Sequence, residues 1–144
     1  MSRQLEEYLA AKGAAVLAAL DLLAAERRLA EPGSNVTTVL AAEVVLDVAA
    51  AGLAAAVDDL PDGSSHLPAG WGEPPAVSGV ILVARHRVVK AALRCLTAEY
   101  ADESADADAE AAYAEEQLAL ACRNLAADVD ARQAQHANES GRLL

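Results

Sequence analysis

The stretch PDGSSHLPAGWGEPPAV, residues 61–77, divides a chain that is otherwise rich in alanine, leucine and charged residues. It holds four of the five prolines and the only tryptophan, Trp71, whereas the segments on both sides repeat apolar residues at helical intervals. Because proline and glycine end helices, we interpret this stretch as a long loop between two pairs of helices.

Two helices are predicted before this loop. Apolar residues at intervals of three and four predict a first helix over residues 2–29, which Pro32 and the following glycine end. Ser34 or Asn35 would cap the second helix, over residues 36–60. The large apolar residues of this second helix surround most of its axis, which is typical of a helix that contacts two neighbouring helices, or one helix and a second subunit.

After the loop, a third helix is predicted to begin near Val77. Its apolar face lies opposite a basic face that carries His86, Arg87, Lys90 and Arg94. The only candidate break between residues 80 and 140 is the acidic stretch 101–110, where Ser104 would cap a fourth helix that reaches about Asn138. The apolar faces before and after this stretch are nearly in phase, so one continuous helix is the alternative to two separate helices.

The fold class that follows is an all-α, up-and-down four-helix bundle, with the long Pro/Gly-rich loop between helices 2 and 3. A length of 144 residues fits a single domain over 1–144. The chain is 54% hydrophobic but only 3% aromatic, and alanine buries little apolar surface per residue. We therefore expect closely packed helices, modest stability of the monomer, and self-association.

The net charge and the cysteine content limit which partners and which cellular compartment are expected. The net charge of −11 repels phosphate backbones and anionic lipid, so we expect the protein to bind neither nucleic acid nor a membrane. Cys95 and Cys122 lack metal-type spacing and are expected to be buried, reduced thiols, with a disulfide as the alternative. The apolar runs are shorter than the roughly 20 residues of a membrane helix, so a cytoplasmic protein is predicted.

No catalytic or cofactor motif is present in the sequence, and no cofactor is predicted. Arg85 lies on the apolar face of the third helix and needs a charged partner there, because a buried unpaired charge is costly. Glu43 and Asp47, four residues apart on the second helix, would supply one. The alternatives are that these faces are solvated, or that the two carboxylates join Glu99, Glu115 and a histidine around a metal ion.

Three hypotheses account for the long loop. In the first, Leu67 and Trp71 close one end of the bundle. In the second, Trp71 anchors the loop on another subunit. In the third, the loop covers a pocket in which His66, Trp71 and Arg85 meet a small acid.

We expect a non-enzymatic bundle that acts by self-association, as a homodimer, or by binding a protein partner. The alternative is a small-molecule-binding bundle, or a small enzyme, with an apolar pocket lined by Trp71, Arg85 and Glu43. The residues predicted to bind a ligand or partner are Trp71, Arg85, Glu43, Asp47 and His66.

Overall fold

A computed structural model describes residues 2–99 and 105–142, and every regular element within these ranges is a helix. The four helices are α1 (Arg3–Arg28), α2 (Val36–Asp58), α3 (Ile81–Glu99) and α4 (Ala105–Arg142). The predicted all-α bundle of four helices is confirmed.

The caps of α1 and α2 are local features of the sequence. The side chain of Ser2 accepts the amide hydrogen of Leu5, and the side chain of Asn35 accepts that of Thr37. Asn35 is therefore the cap of α2, while the Ser34 hydroxyl donates to the backbone carbonyl of Leu29. The predicted cap of the fourth helix, Ser104, lies outside the described residues.

The third helix begins at Ile81, so the prediction that it begins near Val77 was wrong by about one turn. Gly79 has a φ of 76°, a left-handed conformation that a helix cannot contain. The Ser78 hydroxyl accepts the amide hydrogen of Val80, and Asp128 on α4 accepts the amide hydrogens of Ser78 and Gly79. These contacts with α4 hold the segment out of the helix.

The helices form two antiparallel hairpins, α1–α2 and α3–α4, that pack against each other. Helix α1 lies beside α3 and α2 beside α4, so each helix is antiparallel to both of its neighbours. Helices α2 and α3 are diagonal and parallel, since Arg85 near the start of α3 contacts Glu43 and Asp47 in the first half of α2. The loop that joins them must therefore run the length of the bundle.

Helices α3 and α4 pack against each other along most of α3. This packing requires the chain to reverse between Glu99 and Ala105, so the alternative of one continuous helix was wrong.

The core is built from leucine and valine, with alanine at the points where helices approach closely. Its largest fully buried aliphatic side chains are Leu22, Leu46, Leu53, Leu118 and Leu125. Cys95 and Cys122 are free and buried, as predicted. Burial raises the pKa of Cys122 to about 12, so this thiol is protonated and unreactive at neutral pH.

Candidate functional site

Arg85 of α3 forms the predicted ion pair with α2. Its Nε and Nη2 donate to the two carboxylate oxygens of Asp47, at 2.9 and 2.7 Å, and its Nη1 donates to Glu43 at 2.6 Å. The three side chains are only 14–15% exposed. The hydrogen bonds from Arg85 to Asp47 raise the pKa of the guanidinium, against the opposing effect of its burial. This charge cluster joins the two hairpins.

A second polar cluster surrounds Glu115 of α4, which the sequence did not connect with its partners. Its carboxylate accepts hydrogen bonds from the Tyr8 hydroxyl and from Nδ1 of His66, and Lys12 lies 3.4 Å away. The rings of Tyr8 and His66 are in contact, with centroids 4.9 Å apart. One carboxylate thus holds α1 and the long loop against α4.

The pKa values of this cluster follow from burial and hydrogen bonding. Burial alone would raise the pKa of Glu115, but the hydrogen bonds from Tyr8 and His66 and the charge of Lys12 give a net lowering. Burial, together with the Glu115 charge, raises the pKa of Tyr8. At neutral pH Tyr8 is therefore a protonated donor and Glu115 an ionised acceptor.

Trp71 is held on three sides at the end of α2. Its indole Nε1 donates to Asp58 at 2.7 Å, and the guanidinium of Arg123 lies 4.5 Å from its ring centroid. Nη1 of Arg123 also donates to the carbonyls of Trp71 and Glu73. Both Trp71 and Leu67 pack against the hydrophobic core. These contacts agree with the hypothesis that the loop closes this part of the bundle.

The last part of the loop is fixed by two polar residues of α4. The Asn124 side chain accepts the amide hydrogen of Ala76, and Asp128 accepts hydrogen bonds from the amides of Ser78 and Gly79 and from the Ser78 hydroxyl. Asp128 is 3% exposed. Burial acts to raise its pKa, but the hydrogen bonds from Gly79 and Ser78 give a net lowering. The loop is thus a strap along α4, from Glu115 to Asp128.

Sequence reasoning missed the role of Asp128. A signal was present, since Asp128 lies three residues after Leu125 and six after Cys122, on the buried face of α4. An acid at such a position requires hydrogen-bond donors, and the backbone of the loop supplies them.

The structure divides the five predicted site residues between two places. Arg85 contacts Glu43 and Asp47, up to the middle of α2, whereas His66 and Trp71 lie near the end of that helix. Asp47 and Asp58, which mark these two places on α2, are about 16 Å apart along the helix axis. Consequently Trp71, Arg85 and Glu43 do not line one pocket, and Arg85 does not join His66 and Trp71 beneath the loop.

The same separation applies to the carboxylates of the hypothesised metal site. Glu43 and Asp47 belong to one cluster and Glu115 to the other. Within residues 2–99 and 105–142, no group of three or more His, Cys, Asp or Glu side chains is placed to hold a single metal ion.

The solvent side of α2 is apolar, whereas that of α1 carries two exposed leucines together with charged residues such as Glu6 and Asp21. We define the outer face of α1–α2 by six large side chains that are between 39% and 69% exposed: Leu9, Leu17, Leu40, Val44, Val45 and Val48. Small exposed residues lie between them, such as Gly13, Ala41 and Gly52. None of the exposed residues of α2 before Asp58 is charged.

Both helices of this hairpin are, by length and composition, apolar enough to cross a membrane. In the structure their opposite sides carry Tyr8, Lys12, Glu43 and Asp47, which contact α3, α4 or both. The unusual feature of the hairpin is therefore its uncovered outer face.

No protein family matches this chain, and no curated protein or solved structure shows significant similarity to it.

Proposed function

We propose that the protein is a homodimer that associates through the outer face of α1–α2 and acts by protein association rather than by catalysis. The observation that carries the proposal is that α2 exposes Val36, Leu40, Val44, Val45 and Val48 without one charged residue among its exposed positions before Asp58. Exposed apolar patches of this kind mark interaction sites in soluble proteins.

The size of the face suits a dimer. A stable interface of standard size buries about 800 Å² on each partner. Six large side chains at 39–69% exposure, with the alanines and glycines between them, offer an area of that order. Apolar area removed from water contributes roughly 25 cal/mol per Å², so covering this face would compensate for a core that is poor in aromatic residues.

The distribution of charge favours a second copy of the chain as the partner that covers the outer face of α1–α2. The net charge of −11 makes two copies repel each other over most of their surfaces, whereas the exposed residues of α2 within the outer face carry no charge to oppose contact. Two-fold symmetry would place this face against its own equivalent. Small residues such as Gly13 and Gly52 would allow the facing helices to approach closely.

A membrane is the less favoured occupant. The acidic chain is repelled by anionic lipid surfaces. If α1 and α2 entered a bilayer, Glu43 and Asp47 would also lose Arg85, leaving carboxylates without a partner in a medium of low dielectric constant. We place the dimer in the cytoplasm, a compartment that matches two buried free thiols.

The test is the mass of the native protein in solution, by sedimentation equilibrium and native mass spectrometry. We expect the wild type at twice 14.8 kDa, Val48→Glu as a folded monomer, and the control Val83→Glu, on the exposed side of α3, still a dimer. Circular dichroism verifies that each variant is helical.

Two results would overturn the proposal. One is a dimer that survives Val48→Glu together with Val44→Glu. The other is a wild type that is monomeric at tens of micromolar, the concentration range of ordinary dimers. If that monomer sediments with neutral phosphatidylcholine vesicles, a membrane surface replaces the second copy as the occupant of the face.

A further inference from the structure

Positive charge is concentrated on α3, in a chain that is acidic overall. This helix carries four of the eleven basic residues, Arg85, Arg87, Lys90 and Arg94, against one acid, Glu99. Arg85 is neutralised by α2, but the other three cations lie on the exposed side of the helix. Such segregation of charge is not required by the core.

The three exposed cations line a groove between α3, α4 and the strap. The groove has a volume of about 410 Å³, and its polar lining also includes Gln117, Arg123 and Asn124 of α4 and Glu73 of the strap. Pockets for small ligands range upward from roughly 300 Å³. The groove is thus large enough for a small organic molecule.

The charge of Arg87 helps to lower the pKa of Asp128, but none of the three exposed cations has a close anionic partner among the described residues. Within the part of the chain that the structure describes, Arg87, Lys90 and Arg94 form no ion pair or hydrogen bond. The carboxylate of Glu73 lies beside Gly70 of the strap and pairs with none of them. Nε of Arg123 is buried without a hydrogen-bond partner, although Nη1 of the same side chain is held by two carbonyls.

The spacing of these residues suits more than one anionic group. Lys90 and Arg94 are four residues apart and Arg87 is three before Lys90, so all three project from the same side of α3. Arg123 is fixed across the groove by the Trp71 ring. Asn124 accepts from the backbone of Ala76 through its oxygen, which leaves its amide nitrogen as a donor.

We propose that this groove binds a small polyanion that carries at least two phosphate or carboxylate groups. The three neighbouring cations repel one another, and a multiply charged oxyanion removes that repulsion while accepting charge-assisted hydrogen bonds. Phosphate and carboxylate share this chemistry. The groove lies on α3 and α4, apart from the outer face of α1–α2, so binding does not depend on the proposed dimer.

The experiment is isothermal titration calorimetry of the purified protein with pyrophosphate and with citrate, at low ionic strength and neutral pH. We expect saturable binding of one anion per chain, and the stronger of the two probes identifies the preferred group. The double variant Lys90→Gln, Arg94→Gln is expected to weaken binding by at least about tenfold. Both side chains are exposed and form no ion pair or hydrogen bond with the described residues, so the midpoint of urea unfolding should stay unchanged.

The matched control is Arg27→Gln, Arg28→Gln, which removes the same charge from the exposed end of α1. Retention of binding in this control supports a localised site. An equal loss of binding in both double variants would overturn the proposal, because it would indicate general attraction between charges. The absence of saturable binding by either probe at millimolar concentration would overturn it as well.

Discussion

The exposed sides of α2 and α3 differ sharply, although both helices bury a stripe in the same core. Before Asp58, α2 exposes aliphatic residues and threonines but no charge, whereas α3 exposes Arg87, Lys90 and Arg94. The hydrophobic core requires the buried stripe of each helix to be apolar, but it does not determine which residues lie on the solvent side. The uncharged solvent side of α2 is unusual for a soluble protein, and the proposed association rests on it.

The hairpins that carry these two sides are joined by polar contacts at their junction. Arg85 connects α3 with α2, Glu115 connects α4 with α1, and His86 of α3 lies 3.6 Å from Glu26 of α1. The α1–α2 hairpin is packed mainly by alanine, leucine and valine. The experiments below measure how much this junction and the strap contribute to stability, while the two outer sides are tested by the oligomeric state and by anion binding.

The largest effect is expected from Arg85→Met, which leaves Glu43 and Asp47 without their cation. Breaking one side of a buried ion pair costs about 3–5 kcal/mol of unfolding free energy, measured by urea denaturation. Adding Glu43→Gln and Asp47→Asn to the same chain should recover most of this loss. A destabilisation below about 0.5 kcal/mol would show that the cluster is solvated and does not join the hairpins.

Trp71→Ala should lower the unfolding free energy by about 2 kcal/mol, less than a fully buried tryptophan, because the side chain is only partly buried. Trp71→Phe is the control, since it keeps a smaller ring against the core and beneath Arg123 but loses the hydrogen bond to Asp58. The mass of the proposed dimer should not change, because Trp71 lies outside the outer face of α1–α2. Dissociation of a folded dimer would instead favour the loop as an anchor between subunits.

Removal of the Asp128 carboxylate tests the other end of the strap. Asp128→Ala should cost about 2 kcal/mol, because the amides of Ser78 and Gly79 lose a charged acceptor. Asp130→Ala, at an exposed position of the same helix, should change the unfolding free energy by less than about 0.5 kcal/mol. Equal effects of the two changes would mean that Asp128 does not hold the strap.

The smallest effect concerns pH. The pKa of Glu115 is lower in the folded protein than its ordinary value of about 4.3, so its contribution to stability is complete above that value and is lost as the pH falls through the folded pKa. Urea unfolding between about pH 6 and pH 3 should show a weaker pH dependence in Glu115→Gln than in the wild type. Asp128 retains part of the dependence, because its pKa is lowered too.

The control for this measurement is Glu116→Gln, the adjacent residue, which forms no hydrogen bond or ion pair with the described residues. It should leave the pH dependence unchanged. Identical curves for wild type and Glu115→Gln would contradict the role given to the Tyr8–Glu115–His66 contacts.

Of the polar clusters described above, the sequence predicted only the one in which a charged residue lies on the apolar face of its own helix. Arg85, a cation on an apolar face, required an acid, and Glu43 and Asp47 were available at the right spacing. Glu115 gave a weaker signal, because its partners Tyr8 and His66 are distant in the chain. Helical periodicity predicts which side of a helix is buried. It does not predict which side chain of a neighbouring helix or loop will contact a given residue on that side.

The sequence by itself determined the helical class, the first two helices, the acidic balance and the long loop, because helical intervals, proline and charge act locally. It left open whether the segment after the loop is one helix or two, and the packing of α3 against α4 decided this. Only the tertiary structure decided that α2 and α3 run parallel, that the loop follows α4, and that Arg85 and Trp71 lie apart. It also decided which side of α2 stays uncovered. A helix that is apolar on several sides fits several arrangements, and the packing of its neighbours selects the side that faces solvent.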